Sequence, residues 1–198
     1  MTSSEEISRI LKSTAGVQDW GSTLPDDHPL SSVVYGVGVD SYNRMDGALN
    51  LFRGVMFKDP RITDYLRVLG AAWTSCDNVG HHRDYIAYLL RSVGRVRRRE
   101  MMTAPERVVW DSLPSEFTVW RGCYAFNARG LSWSLDESIA REFPFKHRYR
   151  APGKPVLLEA ILKKAEVILK MGRGEAEIIA MPARRVVTTR TLDAQAGI

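Results

Sequence analysis

Three short stretches of this chain carry side chains that could do chemistry together. Val119-Trp120-Arg121-Gly122 ends a predicted strand on an arginine. Ser132-Trp133-Ser134 sets two hydroxyls around a tryptophan just ahead of a helix, and Glu175-Ala176-Glu177 opens a strand after the turn Gly172-Arg173-Gly174. A guanidinium is a planar, permanently charged set of donors, suited to phosphate and to polyhydroxyl groups. Two carboxylates spaced by one residue in an extended segment lie on the same face and repel each other. That cost makes most sense where a cationic ligand or transition state compensates it. Each stretch also has an ordinary reading on its own: a surface arginine, two serines opening a helix, a solvated acidic turn. It is their occurrence together and in this order that points to a site.

Competing chemistries have little support. His28, His81 and His82 have no second ligand at metal-binding spacing. Gly36-x-Gly38 lacks the third glycine and opening helix of a dinucleotide fingerprint, and no glycine-rich Lys-Ser/Thr phosphate loop occurs. Cys76 and Cys123 lack C-x-x-C spacing and are too few for a disulfide framework, so both read as reduced thiols, with no histidine evident to activate Cys123.

The elements that must position these residues follow from periodicity and turn chemistry. Ser3-x-x-Glu6 reads as a capping box opening a helix that ends near Gly16, and Gly21 to Ser32 reads as a loop. Val33 to Val39 is expected to be a short strand and Ala48 to Met56 helical. Apolar residues recur at helical spacing from Ile62 to Trp73 and again from Tyr85 to Val93. Thr103-x-x-Glu106 forms a second capping box, for a helix through Trp110 that Pro114 stops. Beyond Pro114 the texture changes to short β-rich runs: Phe117 to Trp120, Val156 to Leu162, Val167 to Leu169, Ile178 to Ala180 and Val186 to Thr191. One helix, capped by Asp136 and carrying Ile139, Ala140 and Phe143 on an apolar stripe, interrupts them. Helices first and strands afterwards imply an α+β fold. The expected organisation is an N-terminal helix and loop arm (1–32), a helical segment packed on the core (33–113) and a β-rich core (114–198).

Composition sets outer limits. The chain has 198 residues, 44% hydrophobic and 26% charged, which excludes disordered and fibrous classes. No apolar run approaches the roughly 18 residues of a membrane span and the first residues do not resemble a signal peptide, so a cytoplasmic location, or delivery into a target cell by a route that needs no cleaved signal, is expected. The net charge of +5 favours approach to nucleic acid, acidic protein surfaces or a pyrophosphate. Its basic residues cluster at Arg91, Arg95, Arg97, Arg98 and Arg99, and at Arg141, Lys146, Arg148 and Arg150.

The arginine, the Ser-x-Ser motif and the Glu-x-Glu motif, in that order, resemble the signature of the cholera-toxin-like mono-ADP-ribosyltransferases. The likeness spans Trp110 to about Pro182 and extends to bacterial and phage proteins in which a strand carrying Arg-Gly precedes Leu-Ser-Trp-Ser-Leu-Asp and a helix ending in Phe. Trp133 stands where the toxins have threonine. The resemblance implies a core of two small, roughly perpendicular β-sheets flanking a cleft for NAD, which is a substrate, with no metal. By the same resemblance Glu177 would bond the ribose 2′-hydroxyl and stabilise the oxocarbenium-like transition state left by departing nicotinamide. Glu175 would orient and deprotonate an arginine acceptor. Ser132 would steady Glu177 and the nicotinamide ribose, with Ser134 as a lesser partner. Arg121 would hold a phosphate or ribose of NAD, the backbone of Gly122 would meet the nicotinamide carboxamide, and Tyr124, Phe126 and Phe143 would pack on nicotinamide.

The implied activity is transfer of ADP-ribose to a macromolecular acceptor, protein arginine ahead of nucleic acid, in the setting of a toxin or phage effector with an immunity or antitoxin partner. Two alternatives stay open: ADP-ribosylation of RNA or DNA, and a module that binds NAD without turnover. Hydrolysis of NAD, with water as acceptor, is a variant of the enzymatic readings.

Overall fold

The computed structural model describes residues 3–14, 16–17, 19–77, 79–146, 149–172, 175–181 and 186–192. The expected roles of Arg148, and of Arg173 and Gly174 in the turn before Glu175, lie outside the described residues, as does the side chain of Ser3 on which the first capping box rests. Contacts divide the chain into two compact units, Gln18–Val108, and Met1–Val17 with Val109–Ile198. The fold is α+β, and no helix among the described residues is long and apolar enough to cross a membrane.

The first helix, α1 (Ser3–Thr14), belongs to the second unit, where it packs against the first strand. The unit Gln18–Val108 is helical: α2 (Ser32–Tyr35), α3 (Arg44–Asn50), α4 (Ile62–Trp73), α5 (Arg83–Ser92) and α6 (Gly94–Arg98), followed by the start of α7 (Ala104–Ser112). Its core is built on α4, where Ile62, Leu66, Val68 and Leu69 are fully buried. Gly70 lets another segment close on that helix, because a Cβ there would lie 2.4 Å from the Met101 carbonyl oxygen. The Thr103 capping box forms as expected: the Thr103 amide donates to Glu106 Oε2 (2.8 Å), and the Glu106 amide donates to Thr103 Oγ1 (3.3 Å).

Two expectations in this unit are corrected. Val33 to Val39 is not a strand; Ser32–Tyr35 makes one helical turn, and the chain then bends through Gly36 and Gly38, the latter at φ +82°. β-branched residues favour a strand only where a neighbouring strand supplies hydrogen bonds. Here Arg44 Nε takes the Val34 carbonyl instead (2.7 Å). The helix expected over Ala48 to Met56 starts earlier, at Arg44, and stops at Asn50. Asp40 organises its approach by accepting from the amides of Tyr42 and Asn43, and Gly54 at φ +71° turns the chain beyond it.

In the second unit six strands are described: β1 (Glu116–Cys123), β2 (Ser132–Ser134), β3 (Val156–Lys163), β4 (Val167–Gly172), β5 (Glu175–Ala180) and β6 (Val186–Thr191). They form an antiparallel sheet of order β4-β5-β2-β1-β3-β6. The five expected β-runs all appear, whereas β2 was foreseen only as a hydroxyl-bearing segment. Three residues are too few to show alternation, and β2 exists because β5 pairs with it along its whole length. β1 and β3 pair over eight positions, but β1 meets β2 at a single pair, Trp120 with Ser134. The six strands thus form one open sheet whose β1–β2 ladder is its narrowest, a single residue pair.

Asp136 caps α8 (Glu137–Glu142) as expected, accepting from the amides of Ser138 (2.8 Å) and Ile139 (3.4 Å). α8 lies hard against β1. A Cβ on Gly122 would sit 1.8 Å from the Ala140 carbonyl oxygen and 2.8 Å from Pro144 Cδ, so only glycine admits this approach. The C-terminal end of α7 is tied to the turn between β3 and β4. Lys164 Nζ donates to the carbonyls of Asp111 (3.0 Å) and Leu113 (2.7 Å), satisfying acceptors that the helix end leaves open.

Candidate active site

β2 and β5 bring the serine and glutamate motifs together. Ser134 is the Cα partner of Glu177, and Ser132 is the partner of Ile179, so Ser132 reaches diagonally across the ladder and donates its hydroxyl to Glu177 Oε1. Ser134, directly opposite Glu177, accepts instead from the Asp136 amide (3.0 Å) and so fixes the start of α8. Strand alternation sends Trp133 to the opposite face, where it is buried at 3% exposure. The tryptophan at the centre of the motif therefore leaves both hydroxyls on the face of Glu177.

Arg121 occupies the opening where β1 and β2 cease to pair. Its Nη1 donates to the Ser132 carbonyl (2.5 Å) and its Nη2 to the Asn127 carbonyl (3.0 Å), while Nε is buried without a partner. Gly130 clears the space for it, since a Cβ there would come within 2.1 Å of Nη2. Burial pushes the guanidinium pKa below the usual arginine value, and the neighbouring Cys123 and Glu177 act in the opposite sense. A charge so placed is expensive unless anions face it. In turn burial raises the Cys123 thiol, which Arg121 partly offsets, and both Cys76 and Cys123 are free.

Glu175 shares its strand face with Glu177 and meets Lys146, whose Nζ donates to Glu175 Oε1 (3.0 Å). The same ammonium lies 4.6 Å from the centroid of the Phe143 ring, which stacks on Tyr149 at 4.9 Å. Lys170, buried at 3% exposure, is the Cα partner of Glu177 on the β4 side. Each carboxylate thus has a lysine as neighbour, which offsets their mutual repulsion. Sequence reasoning had Lys146 only as part of a basic cluster and missed Lys170. The available signal was a lysine in the middle of an otherwise apolar strand, since lysine is rarely buried without an anion beside it.

The three aromatics go to different places. Phe143 stands beside Lys146 and hence near Glu175. Tyr124 is buried and spends its hydroxyl on the Pro144 carbonyl (3.0 Å), and Phe126, 73% exposed, stacks on Tyr124 from outside. Gly122 sits in β1 under α8, its Cβ position filled by that helix.

No family model, no curated protein and no solved structure matches this chain.

What the site can do follows from its own groups. A carboxylate held by a serine is a fixed anion able to stabilise a developing cation, and a second carboxylate on the same face can receive a proton from a nucleophile. The Arg121 guanidinium, anchored on the Ser132 carbonyl, is of a type that suits the oxygens of a phosphate or sugar. Among the described residues no group of His, Cys, Asp and Glu could hold a metal ion.

Proposed function

We propose that this chain is a mono-ADP-ribosyltransferase that cleaves the nicotinamide–ribose bond of NAD and transfers ADP-ribose to a protein arginine. The observation that carries the reading is the hydroxyl of Ser132 on Glu177, with Arg121 braced on the carbonyl of that same serine. In this reading the halves β1-β3-β6 and β4-β5-β2 are the two sheets of the family core, and the NAD cleft opens where they join. The single residue pair joining them supports this, because such a seam lets the halves diverge.

The C–N bond to nicotinamide breaks with its electron pair leaving on nicotinamide, and positive charge spreads over C1′ and the ribose ring oxygen. Glu177, oriented by Ser132, faces that charge and accepts a hydrogen bond from the 2′-hydroxyl. Oxocarbenium-like states are stabilised by carboxylates in glycoside hydrolysis for the same reason. An acceptor nitrogen then attacks C1′, and its proton passes to Glu175. The Arg121 guanidinium holds a phosphate or ribose oxygen, and Phe143 packs on nicotinamide. Water in place of the acceptor gives NAD hydrolysis.

A second reading, transfer to nucleic acid, is favoured by the arginine-rich stretch Arg91 to Arg99. Incubating the protein with NAD labelled in the adenylate moiety and with separate protein and RNA fractions of a cell extract distinguishes the two. Label on protein supports the first reading and label on RNA the second. Absence of any nicotinamide release would overturn both and leave a module that binds NAD without turnover.

A further inference from the structure

The unit Gln18–Val108 carries a surface that cleavage of NAD and transfer to protein do not use. From Tyr85 to Arg99 the chain has five arginines and no carboxylate. On α5, Tyr85, Tyr88 and Arg91 follow at three-residue steps, so Tyr88 neighbours both. The rings of Tyr85 and Tyr88 stack at 6.4 Å, and Phe57 meets Tyr88 edge-on at 5.8 Å, although Tyr88 is 51% exposed. Gly94, at φ +76°, then turns the chain into α6, and Arg97 Nη1 donates to the Phe57 carbonyl (2.6 Å). This bond fixes a guanidinium at the Phe57 end of the aromatic row, while Arg91, one turn along α5 from Tyr88, and Arg95 in α6 are exposed. Arg98 points the other way, buried and donating to the Leu90 carbonyl (2.5 Å).

An exposed Tyr88 between the half-buried rings of Tyr85 and Phe57, with arginines nearby, matches the chemistry of an unpaired polynucleotide, whose bases stack on aromatic faces while its phosphates meet arginines. A duplex hides its base faces, and the carboxylates of an acidic peptide would engage the arginines but leave the rings unused. We propose that this face binds single-stranded nucleic acid, with Tyr88 and Phe57 against bases and Arg91, Arg95 and Arg97 against phosphates. Binding here is independent of NAD and of which acceptor the proposed reaction uses.

Fluorescence anisotropy of the full chain, without NAD, with a 5′-labelled mixed-sequence 20-nucleotide RNA tests this directly, the same strand annealed to its complement serving as comparison. The expected result is tighter binding of the single strand, weakening steeply with salt. Tyr88→Ala should lose roughly 5- to 100-fold in affinity, the range for one base–aromatic stack, and Tyr88→Phe should retain it. Replacing Arg91 and Arg95 by alanine should lower the slope of log affinity against log salt by about 1.4. Failure to bind at low salt, equal affinity for the duplex, or an unchanged affinity in folded Tyr88→Ala would each overturn the proposal.

Discussion

Ser132 in β2 donates its hydroxyl to Glu177 in β5, crossing the ladder diagonally from its own partner Ile179. The same residue's carbonyl is held by Arg121 Nη1. One serine therefore couples the arginine and the glutamate: its side chain orients the carboxylate and its backbone anchors the guanidinium.

Ser132→Ala removes the first of these links and keeps the second. Hydrogen bonds to charged groups contribute about 1.5–3 kcal/mol. Steady-state assay of nicotinamide release should therefore show kcat reduced roughly 10- to 100-fold, with KM for NAD little changed. A fall in NAD affinity with kcat intact would place Ser132 in binding rather than in orienting Glu177.

Arg121→Ala is expected to act on the ground state as well. The guanidinium braces Ser132 and is the cation proposed to hold the dinucleotide, so NAD affinity measured by calorimetry should fall about tenfold or more, together with turnover. An unchanged affinity in a folded variant would remove Arg121 from contact with the dinucleotide.

Glu175→Ala should separate transfer from hydrolysis. An arginine acceptor needs a carboxylate to orient it and take its proton, whereas water attacks an oxocarbenium ion with less help. Transfer to a protein substrate should drop far more than NAD hydrolysis, measured in the same reaction. The exposed ion pair to Lys146 is worth about 0–1 kcal/mol, so its loss should leave the thermal midpoint nearly unchanged. Equal loss of both reactions would mean that Glu175 serves bond cleavage.

Gly122→Ala tests the packing beneath the site. A Cβ would overlap the Ala140 carbonyl, and relief requires α8 to shift from β1. Overpacking of this kind costs about 1–3 kcal/mol, and thermal melting should report the loss. Unaltered stability would mean that α8 is not seated as described.

The longer elements could be read from the chain because their signals are local. The Thr103–Glu106 box, the Asp136 cap and the apolar spacing of α4 and α5 each depend on neighbours within a turn. The arginine, serine and glutamate motifs were legible as residue types in order. What was not legible depends on partners distant in sequence. Val33 and Val34 looked like a strand until Arg44 took the Val34 carbonyl. Three-residue β2 is defined by β5, and Lys170 gains its meaning only from lying across the ladder from Glu177. Gly122, read as a backbone position open to a ligand, also turned out to be the place where α8 touches the sheet.

In the proposed reaction Glu177 faces a developing positive charge, and Glu177→Gln isolates that role because the amide keeps the shape and removes the charge. Losing one preorganised electrostatic interaction of this kind commonly costs about 3 kcal/mol or more, a hundredfold or greater in rate. Release of nicotinamide from NAD, followed by chromatography for the wild type and the folded variant, should fall by at least that factor while NAD still binds. Turnover by the glutamine variant near the wild-type rate would contradict the account.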